Sequence, residues 1–449
     1  MKIIITFLDS MVARNFFYTG ILDKLTTRGF SFVVIPPPHM LAESIHAFEH
    51  SPAITVYRKP FWGGNTLDAI FTRLCYISIP TRAMRIKILN WYFPKKPLHY
   101  MFFLSVWLLA HFKFWQRVLR FLQSLLPVSA SVTQLLEEVK PDMVIATTML
   151  DSREVDLLRL AKKQKKVAVG MFKSWDNPTS KANVRFFPDY IICLTNYIAQ
   201  EAHLLYGYPL NRCFVSGVPQ YDMYSNPGIL WERETFCNKL GLDPHKKIIL
   251  YAPSGDWMTP DDIDILREVL QWVNTGKFGD TQVLLRLHPA YYSSTEKLSG
   301  RPNLIVHRPG HHSTDVLRNF IFDKDDIQLL ANTLHHSQVL INSGSTLNIE
   351  AAIFDKPSIN VCYDVRRNLP FRDSVVRFYQ REHLVNIINT GALNMVHSHT
   401  ELFNAIVQAF KNPAEKSLER RQLSLSQGYD PEGKAAENIA EFIYKLGSK

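Results

Sequence analysis

Short apolar runs alternate along this chain with stretches in which apolar side chains recur every three or four positions, and turn-rich segments separate the two patterns. Residues 2–7 read as a strand, 16–27 as a helix, and 32–35 as a second strand that stops at Pro36, Pro37 and Pro38. Further on, 129–139 reads as a helix, MVIATT (143–148) as a strand, 155–163 as a helix, and 166–171, 190–195 and the start of CFVSGVPQYD at Cys213 as strands, with a helix from Asn196 to near Gly207. A motif-poor stretch, 221–245, then leads to a second alternation. There 247–252, 281–287, 304–307 and 338–341 are strand-like, 262–274, 326–335, 346–354 and 435–446 are helical, and an apolar run after Pro357 gives another strand. Strand, helix, strand repeated in two series predicts an α/β protein of two Rossmann-like domains facing one another across a cleft. The boundaries follow the pattern: an N-terminal domain over 1–220, a linker over 221–245 and a C-terminal domain over 246–449, whose closing helix can fold back.

The first series is interrupted at 57–127, where the composition shifts to aromatic and basic residues. Its wholly apolar part, about 100–112, is shorter than the ~20 residues that a membrane-spanning helix needs. Downstream, Trp115, Val118, Leu119, Leu122, Leu125 and Leu126 share one helical face, and Lys113, Gln116, Arg117, Arg120 and Gln123 share another. An amphipathic helix with a basic side suits an anionic membrane surface or a lipid-linked substrate, and equally a core or subunit-interface helix.

Length changes little: 449 residues accommodate two domains, and a hydrophobic content of 46% supports real cores. Charge adds more. The net charge of +10, from 51 Lys and Arg against 41 Asp and Glu, favours anionic partners such as phosphates, nucleotides or acidic lipids. Nucleic acid is not expected, because no recognition signature accompanies the charge. Five cysteines without a C-x-x-C pair suit a reducing compartment, and MKIIITFLDS reads as a first strand and not a signal peptide. The expected place is therefore the cytoplasm, with peripheral contact at the inner face of the plasma membrane as an extension of the basic amphipathic segment.

Candidate chemistry gathers where strands give way to loops. In the second series, Ser254 follows one strand, Arg286 and His288 end another, and Ser343, Gly344, Ser345 and Thr346 form the corner between a strand and a helix. Hydroxyls, N–H donors and cations at such a corner suit a phosphate. Glu350, one turn into that helix, either takes the hydroxyls of a ribose or is a surface acid. In the first series Asp9 and Asp151 fall after strand ends, where a catalytic base is found; Asp151 is equally an ordinary helix N-cap. The loop MFKSWDNPTSK crowds Lys173, Trp175, Asp176 and Asn177 beside a turn, a plausible lining for an acceptor. No Asp-x-Asp pair stands at a strand end, Asp261-Asp262 and Asp325-Asp326 read as helix starts, and no divalent ion is expected.

The paired segments LLRLHP and INSGSTLNIEAA resemble the donor-nucleotide domain of GT-B glycosyltransferases, especially bacterial capsule and surface-polysaccharide enzymes and the sialyltransferase and glycerophosphotransferase groups, which carry a His-Pro motif and a later Ser-Ser/Thr motif. The resemblance implies a GT-B-like fold, with His288 on the donor phosphate and Ser343, Ser345 and Thr346 cradling it. SGSTLNIEA is also similar to a segment of UDP-N-acetylglucosamine 2-epimerases in which a glutamate binds ribose, which implies that role for Glu350. SWDNPTSK, PDYIICLTN and VSGVPQYD resemble one side of surface-carbohydrate proteins of the same fold. Asp9 is followed by Ser10 and Met11 where the sialyltransferase group has two acids and a glycine, which points away from a sialic acid donor. The resemblance implies a metal-independent glycosyltransferase, without cofactor, that moves a sugar from a nucleotide-sugar donor to a hydroxyl of a saccharide or lipid-linked acceptor in surface polysaccharide or glycolipid biosynthesis. The alternatives are a UDP-N-acetylglucosamine 2-epimerase-like enzyme and a non-catalytic nucleotide-sugar-binding module.

Overall fold

The structure is a computed structural model that describes the chain except residues 9–11, 13–15, 37–50, 60, 62–65, 182, 299, 313–319, 367, 368 and 449. Two compact units emerge, 1–223 with 427–449, and 224–426.

The first unit is built on β1 (Lys2–Thr6), β2 (Ser31–Ile35), β3 (Ile54–Val56), β4 (Met143–Ala146), β5 (Val167–Met171), β6 (Tyr190–Cys193) and β7 (Cys213–Val215), in the spatial order β3-β2-β1-β4-β5-β6-β7. All pairings are parallel. Strands covered on both faces must be apolar throughout, and Ile3, Ile4, Ile5, Val144, Ile145, Ile191 and Ile192 are each fully buried. Between β3 and β4 the aromatic and basic segment folds into α1 (Thr66–Ile77), α2 (Arg82–Tyr92), α3 (Pro97–Leu109) and α4 (Lys113–Leu125). Among the described residues no helix is long and apolar enough to cross a membrane. After β4, the chain turns into α5 (Ser152–Lys163).

The amphipathic helix α4 departs from the face assignment that its sequence suggested. Gln116 and Gln123, expected outside, are buried, whereas Phe114, Phe121 and Leu125 are exposed. For Gln116 the reason is hydrogen bonding: its amide donates to the backbone oxygens of Ser78 (2.9 Å) and Ala110 (3.3 Å), which holds that side chain inward.

The second unit holds β8 (Lys247–Ala252), β9 (Thr281–Arg286), β10 (Leu304–His307), a two-stranded antiparallel pair, β11 (His311–His312) with β12 (Phe320–Ile321), then β13 (Val339–Asn342), β14 (Ser358–Val361) and β15 (Leu393–Val396). Its main sheet runs β10-β9-β8-β13-β14-β15, again parallel throughout. β3 and β15 carry no sequence signal of their own; three or four residues are too few for a period to show. The stretch 221–245, expected as a linker, carries a helix, Arg233–Leu240, with Phe236 and Cys237 buried. α6 (Asp262–Asn274) follows β8, and α7 (Leu347–Ile353) follows β13.

The closing helix α8 (Ala435–Gly447) belongs to the first unit, where it buries Ala435, Ala436, Ile439, Ala440 and Ile443. Asp222 receives the first N–H groups of this helix, from Ala435 (3.1 Å) and Ala436 (2.7 Å). The chain enters the unit at Gly428, with φ +87°, whose carbonyl accepts the Val218 N–H (2.8 Å). A Cβ added there would stand 2.6 Å from the Leu194 backbone oxygen.

Both large sheets reverse their strand order once, between β1 and β4 in the first unit and between β8 and β13 in the second. Each reversal point buries a carboxyl group under hydroxyl donors. Glu154, fully buried, accepts from the Thr6 and Thr148 hydroxyls at the ends of β1 and β4, and burial raises its pKa. Asp262 accepts from the Ser254 N–H (3.0 Å), the Ser343 hydroxyl (2.7 Å) and the Thr259 hydroxyl, tying the ends of β8 and β13 together.

Gly428→Ala forces a side chain onto a carbonyl as well as into left-handed backbone and should destabilise the protein by roughly 2–3 kcal/mol, against about 1 kcal/mol for Gly276→Ala, which also has a positive φ but has open space beside it. Parallel urea titrations check this, and equal losses would contradict it. Burial, against the opposing hydrogen bonds, raises the Asp262 pKa from 3.8 to about 6. Folding therefore takes up a proton between those values, and the stability from the protonated carboxyl is complete below 3.8 and lost as pH rises through about 6. Asp262→Asn should remove this slope and gain roughly 3 kcal/mol relative to the parent between pH 4 and 7; an unchanged stability difference across that range would contradict the assignment.

Candidate functional site

The carboxyl ends of β8, β9 and β13 carry the residues that the sequence singled out in the second unit. After β13, Gly344 takes a φ of +79°, and a Cβ there would press on the Leu384 side chain at 3.2 Å, so glycine is what allows the corner. The Ser345 N–H donates to Asn342 Oδ1 (2.9 Å), and Ser345 Oγ receives the Leu347 N–H (3.2 Å). Beneath the corner, Asn342, Asn348, Asn360 and Ser358 share a buried amide and hydroxyl network, with Asn342 Nδ2 to Asn348 Oδ1 at 2.8 Å and Asn360 Nδ2 to the same oxygen at 3.0 Å. This network fixes the turn before any ligand arrives. Thr346 is the residue at the N-terminal boundary of α7.

Asp262 joins this corner to the β8 loop. It binds the Ser343 hydroxyl and the Ser254 N–H together, while Ser254 Oγ lies 3.5 Å from the Ser343 carbonyl. Both serines are buried, so their side chains build the corner from below. The β8 loop in turn meets the β9 loop: the Asp256 N–H donates to the Tyr292 carbonyl (2.9 Å), Asp256 Oδ2 takes the Ser294 N–H (3.0 Å), and the Trp257 and Tyr291 rings lie 6.3 Å apart. Gly255, φ +94°, has no room for a side chain against Tyr291.

His288 stands on the β9 side of this group. Its Nδ1 accepts the Ala290 N–H (3.0 Å), its ring packs on Tyr291 (4.5 Å), and its carbonyl takes Arg308 Nη1 (2.7 Å). With Nδ1 accepting, the proton of the neutral ring sits on Nε2 and makes that atom a donor. Arg286 is buried beside His307, with Nη1 3.4 Å from His307 Nδ1. Burial, then the Arg286 charge, lowers the His307 pKa to about 4, so at neutral pH this imidazole is an uncharged acceptor. Glu350 is buried as well, and its Oε1 accepts the Tyr224 hydroxyl (2.8 Å), which rules out the surface-acid reading.

In the first unit Asp151 caps α5 through the Arg153 N–H (2.9 Å), and both its oxygens are held by the Arg153 guanidinium, at 2.8 and 2.6 Å. Asp9, with Ser10, lies outside the described residues. In the loop after β5, Asp176 receives Ser174 Oγ (2.9 Å) and pairs with Lys181 (2.9 Å), and the fully buried Asn177 takes the Ser174 N–H (3.1 Å) through Oδ1. Lys173 and Trp175 are half-buried in the same loop.

The strand-end reading of the sequence passed over Glu154 and assigned Asp262 only a helix start. Their signal was there: a carboxylate a few residues beyond a cluster of Thr or Ser at a strand end. Among the described residues, His311, Asp323 and Asp326 bring three potential metal-ligand atoms within 4.8 Å of one another. The two aspartates already form a capping box at the Lys324–His336 helix, and His311 Nε2 binds Asp323 (2.8 Å).

The family model for CDP-Glycerol:Poly(glycerophosphate) glycerophosphotransferase matches residues 156–445. No curated protein matches the sequence. Among solved structures, a putative UDP-N-acetylglucosamine 2-epimerase from Listeria monocytogenes has a TM-score of 0.57 at 14% identity, covering 100% of this chain and 96% of that one. The UDP-GlcNAc 2-epimerase from Neisseria meningitidis bound to UDP-GlcNAc gives 0.52 at 14% identity, over 99% of this chain and 100% of the other. The wall teichoic acid polymerase TagF gives 0.52 at 12% identity, over 99% and 88%. At such identities these likenesses speak for the GT-B-like α/β fold alone. The family match is another matter: it runs over about two thirds of the sequence, from α5 into α8, and this chain is a GT-B-type transferase of the CDP-glycerol:poly(glycerophosphate) glycerophosphotransferase family.

Proposed function

We propose that this transferase of cell-surface polymer synthesis holds a nucleoside-diphosphate-linked donor at the β8, β9 and β13 ends of its second unit and passes the linked group to an acceptor hydroxyl. The observation that carries the reading is the single hydrogen-bonded assembly joining Ser254, Asp262 and Ser343, with the His288 loop packed on its β8 side. In this reading the donor phosphates lie over Gly344, Ser345 and Thr346, and the His288 Nε2–H and the Arg286 charge stabilise the negative charge that develops on the leaving nucleotide. Glu350 faces the ribose of the donor. The family's chemistry makes a CDP-linked polyol the first donor to test, with nucleotide sugars beside it. A carboxylate of the first unit removes the acceptor proton. At Asp151 this requires displacing the Arg153 pair, and Asp9 is the other candidate.

We also propose peripheral contact with an anionic membrane through the α1, α3 and α4 helices. Leu67, Ile70, Leu98, Met101, Phe102, Leu108, Phe114, Phe121 and Leu125 are all more than half exposed there, and Lys95, Lys96, Lys113 and Arg117 are exposed among them.

Incubation with CDP-glycerol and a hydroxyl-bearing phosphodiester acceptor should release CMP, and His288→Ala should lower kcat/KM by about 100-fold or more while the melting temperature holds. Undiminished turnover in the variant would remove His288 from the site. Conversion of UDP-N-acetylglucosamine without any acceptor would favour the epimerase alternative. In flotation assays the protein should bind vesicles rich in phosphatidylglycerol and release them as salt rises, and Phe102→Glu with Phe121→Glu should abolish binding; retention of the double variant on vesicles would contradict the membrane reading.

A further inference from the structure

The first unit contains a cavity of about 250 Å³ that the transferase reading leaves without a task. It lies beside α1, the β4–α5 loop and the chain that leads into β6, and Thr72, Arg73, Lys181, Asn183 and Arg185 are among its lining residues. Met149, also in the lining, holds a left-handed backbone (φ 52°), a strained conformation of the kind that concentrates at ligand sites.

Two arginines of this cavity have no ion pair among the described residues. Arg185 is only 3% exposed, and its Nη1 donates to Thr72 Oγ1 (2.7 Å). Its Nη2 is buried without an oxygen or nitrogen partner, and the Cys75 thiol adjoins the guanidinium. Arg73 bonds the Tyr92 hydroxyl (2.7 Å) and lies over the Trp91 ring (4.5 Å), contacts that orient a guanidinium without offsetting its charge. Among the described residues neither arginine has a carboxylate partner. Lys181 brings its own counter-ion, Asp176. Burying a guanidinium without an anion is unfavourable, so the cavity is short of a negative group. Asn183 adds a second requirement. Its Nδ2 donates to the Ser78 carbonyl (3.0 Å) and to Gln116 Oε1 (3.2 Å), which leaves Oδ1 buried as an acceptor without a donor.

We propose that this cavity binds a phosphate ester that carries a free hydroxyl, with the phosphate oxygens on Arg185, Arg73 and Thr72 and the hydroxyl donating to Asn183. A phosphate supplies several oxygens to two guanidinium forks and a threonine, and the neighbouring hydroxyl supplies the one donor that the site lacks. The inference rests on the transferase reading only in taking this ligand to be the phosphorylated terminus of the acceptor.

The test is calorimetric titration of the full chain with sn-glycerol 3-phosphate, with inorganic phosphate and glycerol as separate arms. The ester should bind, inorganic phosphate more weakly, and glycerol not measurably. Arg185→Met should weaken the ester at least tenfold without lowering the melting temperature, because it removes a buried unpaired charge; Arg73→Gln, at a half-buried position, should weaken it similarly. His288→Ala should leave it unchanged. With an acceptor bearing the same ester, Arg185→Met should raise the KM for acceptor and not that for donor. Unaltered affinity in both arginine variants overturns the proposal, as does loss of binding in His288→Ala, which would assign the ester to the donor site. Equal affinity for inorganic phosphate overturns the ester assignment. Ester binding lost only in the arginine variants, with no group transfer from any donor, would sink the transferase reading and leave this site standing.

Discussion

Where the strand order of a parallel sheet reverses, the loops on either side of the reversal part in opposite directions, and the polar backbone of both strand ends faces the gap between them. Those groups must be satisfied by the protein, by water or by a ligand. In this chain both sheets meet that constraint with a buried carboxyl group: Glu154 between β1 and β4, and Asp262 between β8 and β13. Burial raises the pKa of each, against the hydrogen bonds that each accepts from its hydroxyl cluster. Ser254 and Ser343 thereby become structural members that hold the floor of the corner, while Ser345, Thr346 and the Nε2 edge of His288 are the groups proposed to meet a phosphate. The division is a physical one. A site that has to stabilise charge as it develops must be rigid beforehand, and the amide network of Asn342, Asn348 and Asn360 supplies that rigidity under the turn.

Much of this was readable from the chain alone. The fully buried strands announce themselves as continuous apolar runs, and their alternation with helices gives two parallel sheets with little ambiguity. The strand ends were equally legible, because Ser-Gly-Ser-Thr, His-Pro and Pro-Ser-Gly each break an apolar run at the carboxyl end of a strand. What the one-dimensional pattern hid was partnership. That Glu350 faces Tyr224 and that Asp262 reaches over to Ser343 depend on which loops meet, and sequence separation carries no trace of it. The closing helix shows the same limit. Its apolar stripe was plain, yet its seat in the first unit depends on Asp222 and Gly428, which no periodicity marks.

The segment between β3 and β4 is where pattern and structure part company. An amphipathic reading puts the glutamines of α4 outside and its apolar face inside, and the protein does the opposite for Gln116, Gln123, Leu122 and Leu125, with Phe114 and Phe121 exposed as well. Gln116 finds carbonyl and amide partners, whereas Gln123 Oε1 is buried without one, and the exposed phenylalanines have no compensation in water. An arrangement of this kind is explained if the outer surface does not face water. The cationic cavity bordered by α1 belongs to the same unit, which would bring a phosphate-bearing acceptor and the apolar helices together on the acceptor side of the reaction.

The proposed transfer requires a donor diphosphate at the ends of β8, β9 and β13, and a crystal structure of the full chain with CDP bound tests that most directly. We expect the terminal phosphate within hydrogen-bond reach of His288 Nε2 and over the turn from Gly344 to Thr346, with the ribose toward Glu350. A nucleotide seated away from that turn, with the His288 imidazole making no contact to phosphate, would contradict it.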